Sequence, residues 1–424
     1  MLRSTPTVGI HITIVMGYCM DRHLFFACLL AQLRMVRGSK PARAMGENGK
    51  GEPYGPATFN PTVVNTLGGI TLTRLRDLHR IELEEKYIAH WDTGGIDWKY
   101  GGFIPRWDEN GRRERHLKAS RLCWEFMLKY CRDPVTGYWI SKVTRDGKPV
   151  EGPFDIYGDM YVIMGLTEYY KSVSDKKLLE IAIETAHGIN ERIVSPSYQH
   201  LKAHKNGFEP GTKVLGTWQH FLGALTPLAR ETGDDGIGMM ARMCVRNIME
   251  RHFSRKYGVF FEYLDDSFTP YRPGYYPELR MVSSWHNIQS AWMCMDEALR
   301  LNHRAMFMDA LEMGRLTLEK CWREGDDGGL IGLDDPEQDV RDSSDSAVWE
   351  RFDDAMVFLL LALEHVHATW AVRWYDKIFA FSAKKPVRWN RSSLLHHPRR
   401  LFFTIEILNR MIARNGRVSN FVEG

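Results

Sequence analysis

A short Gly–aromatic mark returns along the chain and divides it into units that each have room for one or two helices. It reads YGGF at Tyr100–Phe103, TGYW at Thr136–Trp139, NGF at Asn206–Phe208, YGVF at Tyr257–Phe260 and GGLI at Gly328–Ile331. Glycine supplies the positive φ of a tight turn, and the bulky residue beside it anchors a short hairpin. Between the marks, apolar residues recur at helical spacing. LTRLRDLHRIELEEKYIAHW, DMYVIMGLTEYYKS, KKLLEIAIETAHGI, AMFMDALEMGRLTLEKCW and DDAMVFLLLALEHV are the clearest stretches. The third places Leu178, Ile181, Ala182, Thr185 and Ile189 along one face, and SVSD before it offers N-cap oxygens. Strand-like alternation is nearly absent. The pattern predicts an all-α toroid of helix pairs capped by short hairpins, with a linear helical solenoid as the alternative. In a closed toroid, inner-helix N-termini and connecting loops converge on one end of a central pit. The 13 Trp and 17 Tyr of the chain suit a pit that takes sugars.

Composition narrows the function classes. Lys and Arg exceed Asp and Glu by only 3 with no long basic run, so nucleic acid has no electrostatic footprint here. The charge is uneven, because residues 1–65 carry seven Lys/Arg against three acids. The apolar run VGIHITIVMGYCM is too short to span a bilayer, is interrupted by His11, and has no convincing cleavage site after it. Gly38–Thr66 is rich in Gly, Pro, Asn and Lys, the composition of a linker. Residues 1–65 are therefore expected to be a poorly structured basic extension, and 66–424 one large helical domain. The seven cysteines are odd in number and scattered without a CxxC pair, which argues against a zinc ribbon or disulfide framework. A reducing, cytoplasmic setting is the expectation.

Several weaker motifs then fall in order. YGGFIPRWDENG opens the domain, and SRLCW sets Arg121 three residues before Trp124. DIYGDMYVIMGLTEYY carries Tyr157, and WQHFLGAL carries His220. VSSWHNIQSAW holds His286 and Gln289, VWERFDDAMVFLLLALEH holds Trp349 and Asp354, and LLHHPRRLFF holds His396 and His397. From about Arg74 to Met411 this succession resembles the N-acylglucosamine 2-epimerase family. That family includes cellobiose 2-epimerases and aldose–ketose isomerases, built as (α/α)6 barrels. The resemblance implies the same barrel here. WHNIQSAW resembles the family's G-H-x-x-E-x-A-W, which puts His286 at a catalytic position. LHHPRRL resembles F-H-x-P-R-x-L, so His396 would be the second catalytic histidine and His397 a bystander. Arg121, Tyr157, His220, Gln289, Trp349 and Asp354 would face the substrate.

The chemistry implied by the resemblance explains why two histidines are wanted. An open-chain aldose has an acidic proton at C2; a base removes it to give a cis-enediolate. An acid on the other face returns the proton with inverted configuration, whereas return to C1 gives the ketose. Histidine titrates near neutrality and serves either role. Arg121, Tyr157 and His220 would stabilise the enediolate oxygen. Trp349 would stack on the sugar, and Asp354 would hold hydroxyls. No metal, nicotinamide or other cofactor is expected. The sole expected partner is a small sugar, with no membrane or nucleic acid, and a homodimer is left open.

Three departures stand out. Gln289 replaces the family's Glu one helical turn after the first histidine, where a carboxylate would orient the imidazole. Asp354 is one methylene shorter than the usual Glu. Between FAFSAKKP and LLHHPRR only VRWNRSS remains where the family inserts a further hairpin. Two other readings compete. One is a glycoside hydrolase using Asp155 and Asp159, although cleavage needs its two carboxyls on either side of the bond. The other is a sugar-binding protein that kept the barrel and lost the chemistry. Ordinary structural roles are also open: His286 and Tyr157 in the core, Arg121 paired with a neighbouring acid, and Asp353 with Asp354 as a solvated helix start.

Overall fold

Side chains at the helix starts satisfy backbone N–H groups that have no partner within the helix. Thr71 accepts from Arg74 N at 3.2 Å, Asp175 from Lys177 N at 3.1 Å, Asp234 from Ile237 N at 2.9 Å and Ser283 from His286 N at 3.3 Å. In this computed structural model the described residues are 63–88, 112–144, 146–152, 156–195, 211–273, 277–325, 329–337, 340–341, 349–384, 396–419 and 421. Almost all of the expected 1–65 extension, and the marks at Tyr100–Phe103 and Asn206–Phe208, lie outside them.

Eleven α-helices are found among these residues. They are α1 (Leu72–Glu82), α2 (Arg112–Tyr130), α3 (Ile156–Val173), α4 (Lys176–Val194), α5 (Leu215–Thr232) and α6 (Asp235–Arg246). The series continues with α7 (Ser284–Arg300), α8 (Arg304–Cys321), α9 (Trp349–His365), α10 (Thr369–Ala383) and α11 (His396–Ala413). Connections of two or three residues join α3 to α4, α5 to α6, α7 to α8 and α9 to α10, so each pair is antiparallel. Neighbours pack as α3–α5–α7–α9–α11, and α4, α6, α8 and α10 each back the helix before them. The two ends of the chain also meet. α1 packs on α11, Val64 N donates to Gly416 O at 2.8 Å, and Val63 bridges to Arg417. A linear solenoid keeps its terminal units apart. This one closes, as an (α/α)6 barrel does.

Burial follows this layering. The inner helix α5 buries residues on every side, including Leu215, Phe221, Leu222, Leu225 and Leu228. The outer helix α4 buries one stripe, with Leu178, Ala182, Thr185 and Ile189 covered. Among the described residues the strands form two-stranded ribbons, with a few isolated bridges beside them. Three of the expected Gly–aromatic turns are present. Gly258 closes Phe253–Ser254 onto Val259–Phe260 at φ 70°, and Gly329 opens the strand Gly329–Leu330 against Trp322–Arg323 at φ 115°. The third, at Thr136–Trp139, is a turn bridged by Arg132 and Trp139.

Candidate functional site

The site is built around the strand that leaves the Gly258 hairpin. After Val259–Phe260 the chain runs through Phe261 and Glu262 into the strand Tyr263–Leu264, which pairs with Lys213–Val214 just before α5. Side-chain and backbone contacts stitch this run to the starts of α5 and α7. Asn287 accepts from Phe260 N at 2.7 Å and donates to Phe260 O at 3.0 Å. Leu215 N donates to Glu262 O at 2.9 Å. His252 Nδ1 donates to Phe261 O at 2.8 Å, and burial holds this histidine down at about 4, so the ring is neutral near pH 7.

Glu262 is thereby delivered to His286. Its two oxygens lie 2.9 and 2.8 Å from His286 Nδ1. The carboxylate side chain is 2% exposed and the imidazole 15%. A carboxylate on Nδ1 fixes the ring and its tautomer, leaving Nε2 as the reactive nitrogen. Among the described residues, no group hydrogen-bonds that Nε2.

Tyr157 and His220 complete the group. Their rings are perpendicular at 5.0 Å, and His220 lies 6.3 Å from the His286 ring. His220 Nδ1 donates to Gly216 O at 2.8 Å, so the Nε2 of the neutral ring is an acceptor. Gly216 is what lets these side chains converge. A Cβ there would lie 3.1 Å from the Tyr157 hydroxyl and 3.5 Å from His286 Cε1.

A second, largely buried network lies beside this group. Asp354 Oδ2 accepts from Trp285 Nε1 at 2.7 Å, and Oδ1 accepts from Trp292 Nε1 at 2.8 Å and Gln289 Nε2 at 3.2 Å. Arg399 stands 3.6 Å from the same carboxylate. Gln289 also receives the Gln219 amide, whose own oxygen accepts from Ser290 at 3.2 Å. Burial pushes Asp354 above the usual carboxylate range, against the pull of Arg399 and the Trp292 N–H.

These placements revise the sequence reading. Gln289 does not orient His286, because its amide is spent on Asp354 and Gln219. The orienting carboxylate is Glu262, 24 residues upstream. Asp354 was expected to hold sugar hydroxyls, but protein donors occupy both of its oxygens. Nor is the Asp353–Asp354 pair a solvated helix start: both residues are buried. Arg121 is not brought to the group. α2 buries Ala119, Cys123, Trp124 and Met127, whereas Arg121 lies on the opposite face, 60% exposed and 3.8 Å from Glu125. Asp159 is tied to Arg192 on α4, two residues around α3 from Tyr157 and so on another face. Asp155 lies outside the described residues. Trp349 and His396 begin α9 and α11, but their side chains also lie outside the description.

His397 is no bystander. Its Nδ1 lies 2.8 Å from Asp353, and its Nε2 lies 3.4 Å from Glu82 and 3.1 Å from Arg400. Arg400 Nε also donates to Asp353 at 2.8 Å, and its Nη1 donates to His79 Nδ1 at 3.1 Å. Burial disfavours the imidazolium, but Asp353, with Glu82, outweighs it and holds His397 above the ordinary histidine value. Among the described residues, no group of three or more His, Cys, Asp or Glu is arranged to hold a metal ion. Nor is any helix among them long and apolar enough to cross a membrane.

Residues 108–387 match the profile of the N-acylglucosamine 2-epimerase (GlcNAc 2-epimerase) family. The cellobiose 2-epimerase of Dictyoglomus turgidum is 22% identical over 252 residues, covering 56% of this chain and 61% of that protein. That of Eubacterium cellulosolvens is 21% identical over 271 residues, covering 58% and 65%. The chain thus matches less than two thirds of the length of these curated relatives. Among solved structures, the cellobiose 2-epimerase of Bacillus thermoamylovorans superposes with a TM-score of 0.64 at 14% identity. The match covers 79% of this chain and 99% of that one, and it places the two in one fold.

Proposed function

Since the chain belongs to the N-acylglucosamine 2-epimerase family, we propose that it interconverts sugars by moving a proton at C2 through a cis-enediolate, with His286 and His396 as the two proton carriers. The observation that carries this reading is the grip of buried Glu262 on His286 Nδ1. It holds a reactive Nε2 in one orientation and stabilises the imidazolium formed when that nitrogen takes the C2 proton. Tyr157 is placed to donate to the developing enediolate oxygen, a role in which Arg121 has no part. His220, with Nδ1 committed to Gly216 O, accepts from a sugar hydroxyl when its ring is neutral.

The register of α11 supports the place given to His396. Arg399, three residues on, reaches Asp354, and Phe403, seven residues on, packs at 5.5 Å from Trp292. Positions 396, 399 and 403 share one helix face, so position 396 opens the face of α11 turned toward α7. Positions 397 and 400 belong to the other cluster. Epimer and ketose are alternative outcomes of one enediolate, decided by which carbon is reprotonated.

The test is proton NMR in D2O with the full chain and, in turn, mannose, glucose, N-acetylmannosamine, N-acetylglucosamine and cellobiose. Deuterium is expected at C2 of at least one sugar, at a rate abolished by His286→Ala and by His396→Ala. Folded protein that exchanges none of them would overturn the reading. Release of free glucose from cellobiose would favour hydrolysis instead.

A further inference from the structure

Trp285 has no role in the reading above, yet its environment differs from that of Trp292, which shares its carboxylate. It occupies the first turn of α7, directly before His286, and its ring centroid lies 4.9 Å from that imidazole at 49°. Its N–H is held by the buried Asp354 at 2.7 Å. Trp292 is bonded to the same carboxylate at 2.8 Å, but it is only 6% exposed and belongs to the core. Trp285 is half-buried. One carboxylate therefore anchors two indoles, one inside the barrel wall and one reaching the site.

Anchoring by the N–H fixes the orientation of the ring. The pyrrole edge points to Asp354, and the ring as a whole lies beside His286. Tryptophan is suited to this because it combines a large apolar body with a polar handle. A charge-assisted hydrogen bond to a buried carboxylate is short and strong, so the ring is oriented before a ligand arrives. A sugar with C2 at His286 Nε2 would carry its next carbons toward the neighbouring indole.

We infer that Trp285 is a stacking platform for the non-reacting carbons of the substrate, and that Asp354 is the positioning residue that sets its plane. The inference rests on the proton-transfer reading for where C2 sits. It also commits the site to a hexose unit with a continuous apolar C–H face beyond C2. Asp354 touches no substrate in this arrangement and acts through the indole.

The experiment uses the full chain as wild type, Trp285→Ala, Trp285→Phe and Asp354→Asn, with C2 deuterium exchange followed over a range of sugar concentrations. Parallel samples carry 5-fluorotryptophan, and the Trp285 resonance is identified by its loss in Trp285→Phe. Trp285→Ala should raise KM roughly tenfold, with the loss falling on KM rather than on kcat. Trp285→Phe, which keeps an apolar ring, should recover most of that loss. Asp354→Asn should also raise KM and should broaden or shift the Trp285 fluorine signal without sugar, which a purely structural role for the carboxylate would not do once folding is verified. An unchanged KM in folded Trp285→Ala, with the wild type exchanging normally, would overturn the platform and leave the epimerase reading standing. If the wild type exchanges no sugar, yet mannose or glucose shifts the Trp285 signal, the platform stands and the proton-transfer reading falls. No exchange and no shift would remove both.

Discussion

Two of the histidine–carboxylate pairs among the described residues make nearly the same first contact. Glu262 meets His286 Nδ1 at 2.8 Å, and Asp353 meets His397 Nδ1 at 2.8 Å. The difference is at the other nitrogen. His397 Nε2 is closed off by Arg400 at 3.1 Å and Glu82 at 3.4 Å, and the ring is 5% exposed. No described group bonds His286 Nε2, and that ring keeps 15% of its surface open beside Tyr157 and His220. One pair is a cross-link among α1, α9 and α11; the other leaves Nε2 open, as the proposed proton carrier requires. A carboxylate on Nδ1 alone does not identify a catalytic histidine. What the second nitrogen can reach decides it.

The sharpest way to break this comparison is to delete each imidazole in turn. His286→Ala should cut C2 exchange by about 10^2–10^4-fold, the usual weight of a general acid–base group, with little change in melting temperature. His397→Ala should do the reverse, lowering the melting temperature while each folded molecule still exchanges. If His397→Ala instead silenced exchange at unchanged stability, the two pairs would have to exchange roles. The carboxylates extend the test. Glu262→Gln keeps a hydrogen bond but not the negative charge, and it should cost about 10–100-fold in exchange. Asp353→Asn leaves Arg400 and His397 as buried cations without their shared anion. It should destabilise by roughly 3–5 kcal/mol in urea unfolding.

A smaller effect bears on Gln289, where the family pattern has Glu. Restoring that acid looks like a repair, but the geometry says otherwise. Gln289→Glu removes the N–H that Asp354 accepts and sets a second carboxylate against a buried one. The expected result is a loss of roughly 1–3 kcal/mol with no gain in exchange rate, measured on the same samples. A faster, equally stable variant would mean that Gln289, not Glu262, is the residue that tunes His286.

The helices were legible because apolar spacing depends only on local sequence. Asp175 capping α4 and the left-handed glycines at 258 and 329 were readable for the same reason. Tyr157, His220 and His286 come together where a residue's face follows from its own helix. The site was not legible where the partner arrives from another element. Glu262 sits inside the apolar run FFEYL, and the clamp of Asn287 on Phe260, with the bond from Leu215 N to Glu262 O, brings it to His286. An acid within an apolar hairpin strand was the available signal. Arg121 failed for the opposite reason. A motif match located its position in sequence, but the buried stripe of α2 points it away from the group. Asp353 and Asp354 are adjacent residues about 100° apart on α9, so each joins a different cluster.

The last contrast is in pH dependence, and it concerns the structural pair. In the fold His397 is held above its ordinary value of 6.5. Its contribution to stability is therefore complete below pH 6.5 and is lost as pH rises through the raised folded value. His79, which faces the same Arg400, behaves oppositely. Burial above all, and then Arg400, lowers it, so the folded state keeps it neutral while the unfolded chain is protonated below 6.5. Stability is then lost as pH falls below 6.5. Glu82, held far below its usual range by His397 and Arg400 against burial, contributes only above the unfolded carboxylate value near 4.5, so its own loss falls at more acidic pH. Lys86, paired with Glu82 at 3.1 Å, also borders the cluster, as does Tyr87, whose hydroxyl burial raises so that it stays protonated across the neutral range. In urea unfolding from pH 5 to 9, wild type should lose stability relative to His397→Gln on the alkaline limb, as pH rises above 6.5, and relative to His79→Gln as pH falls below 6.5, each by about 1.4 kcal/mol per unit of pKa displacement. The buried His252, held at about 4, carries a further loss below pH 6.5 that His79→Gln leaves in place. An alkaline limb that survives His397→Gln would mean that the proton lies elsewhere and that His397 is held neutral. The two histidine–carboxylate pairs would then differ less than their second nitrogens imply.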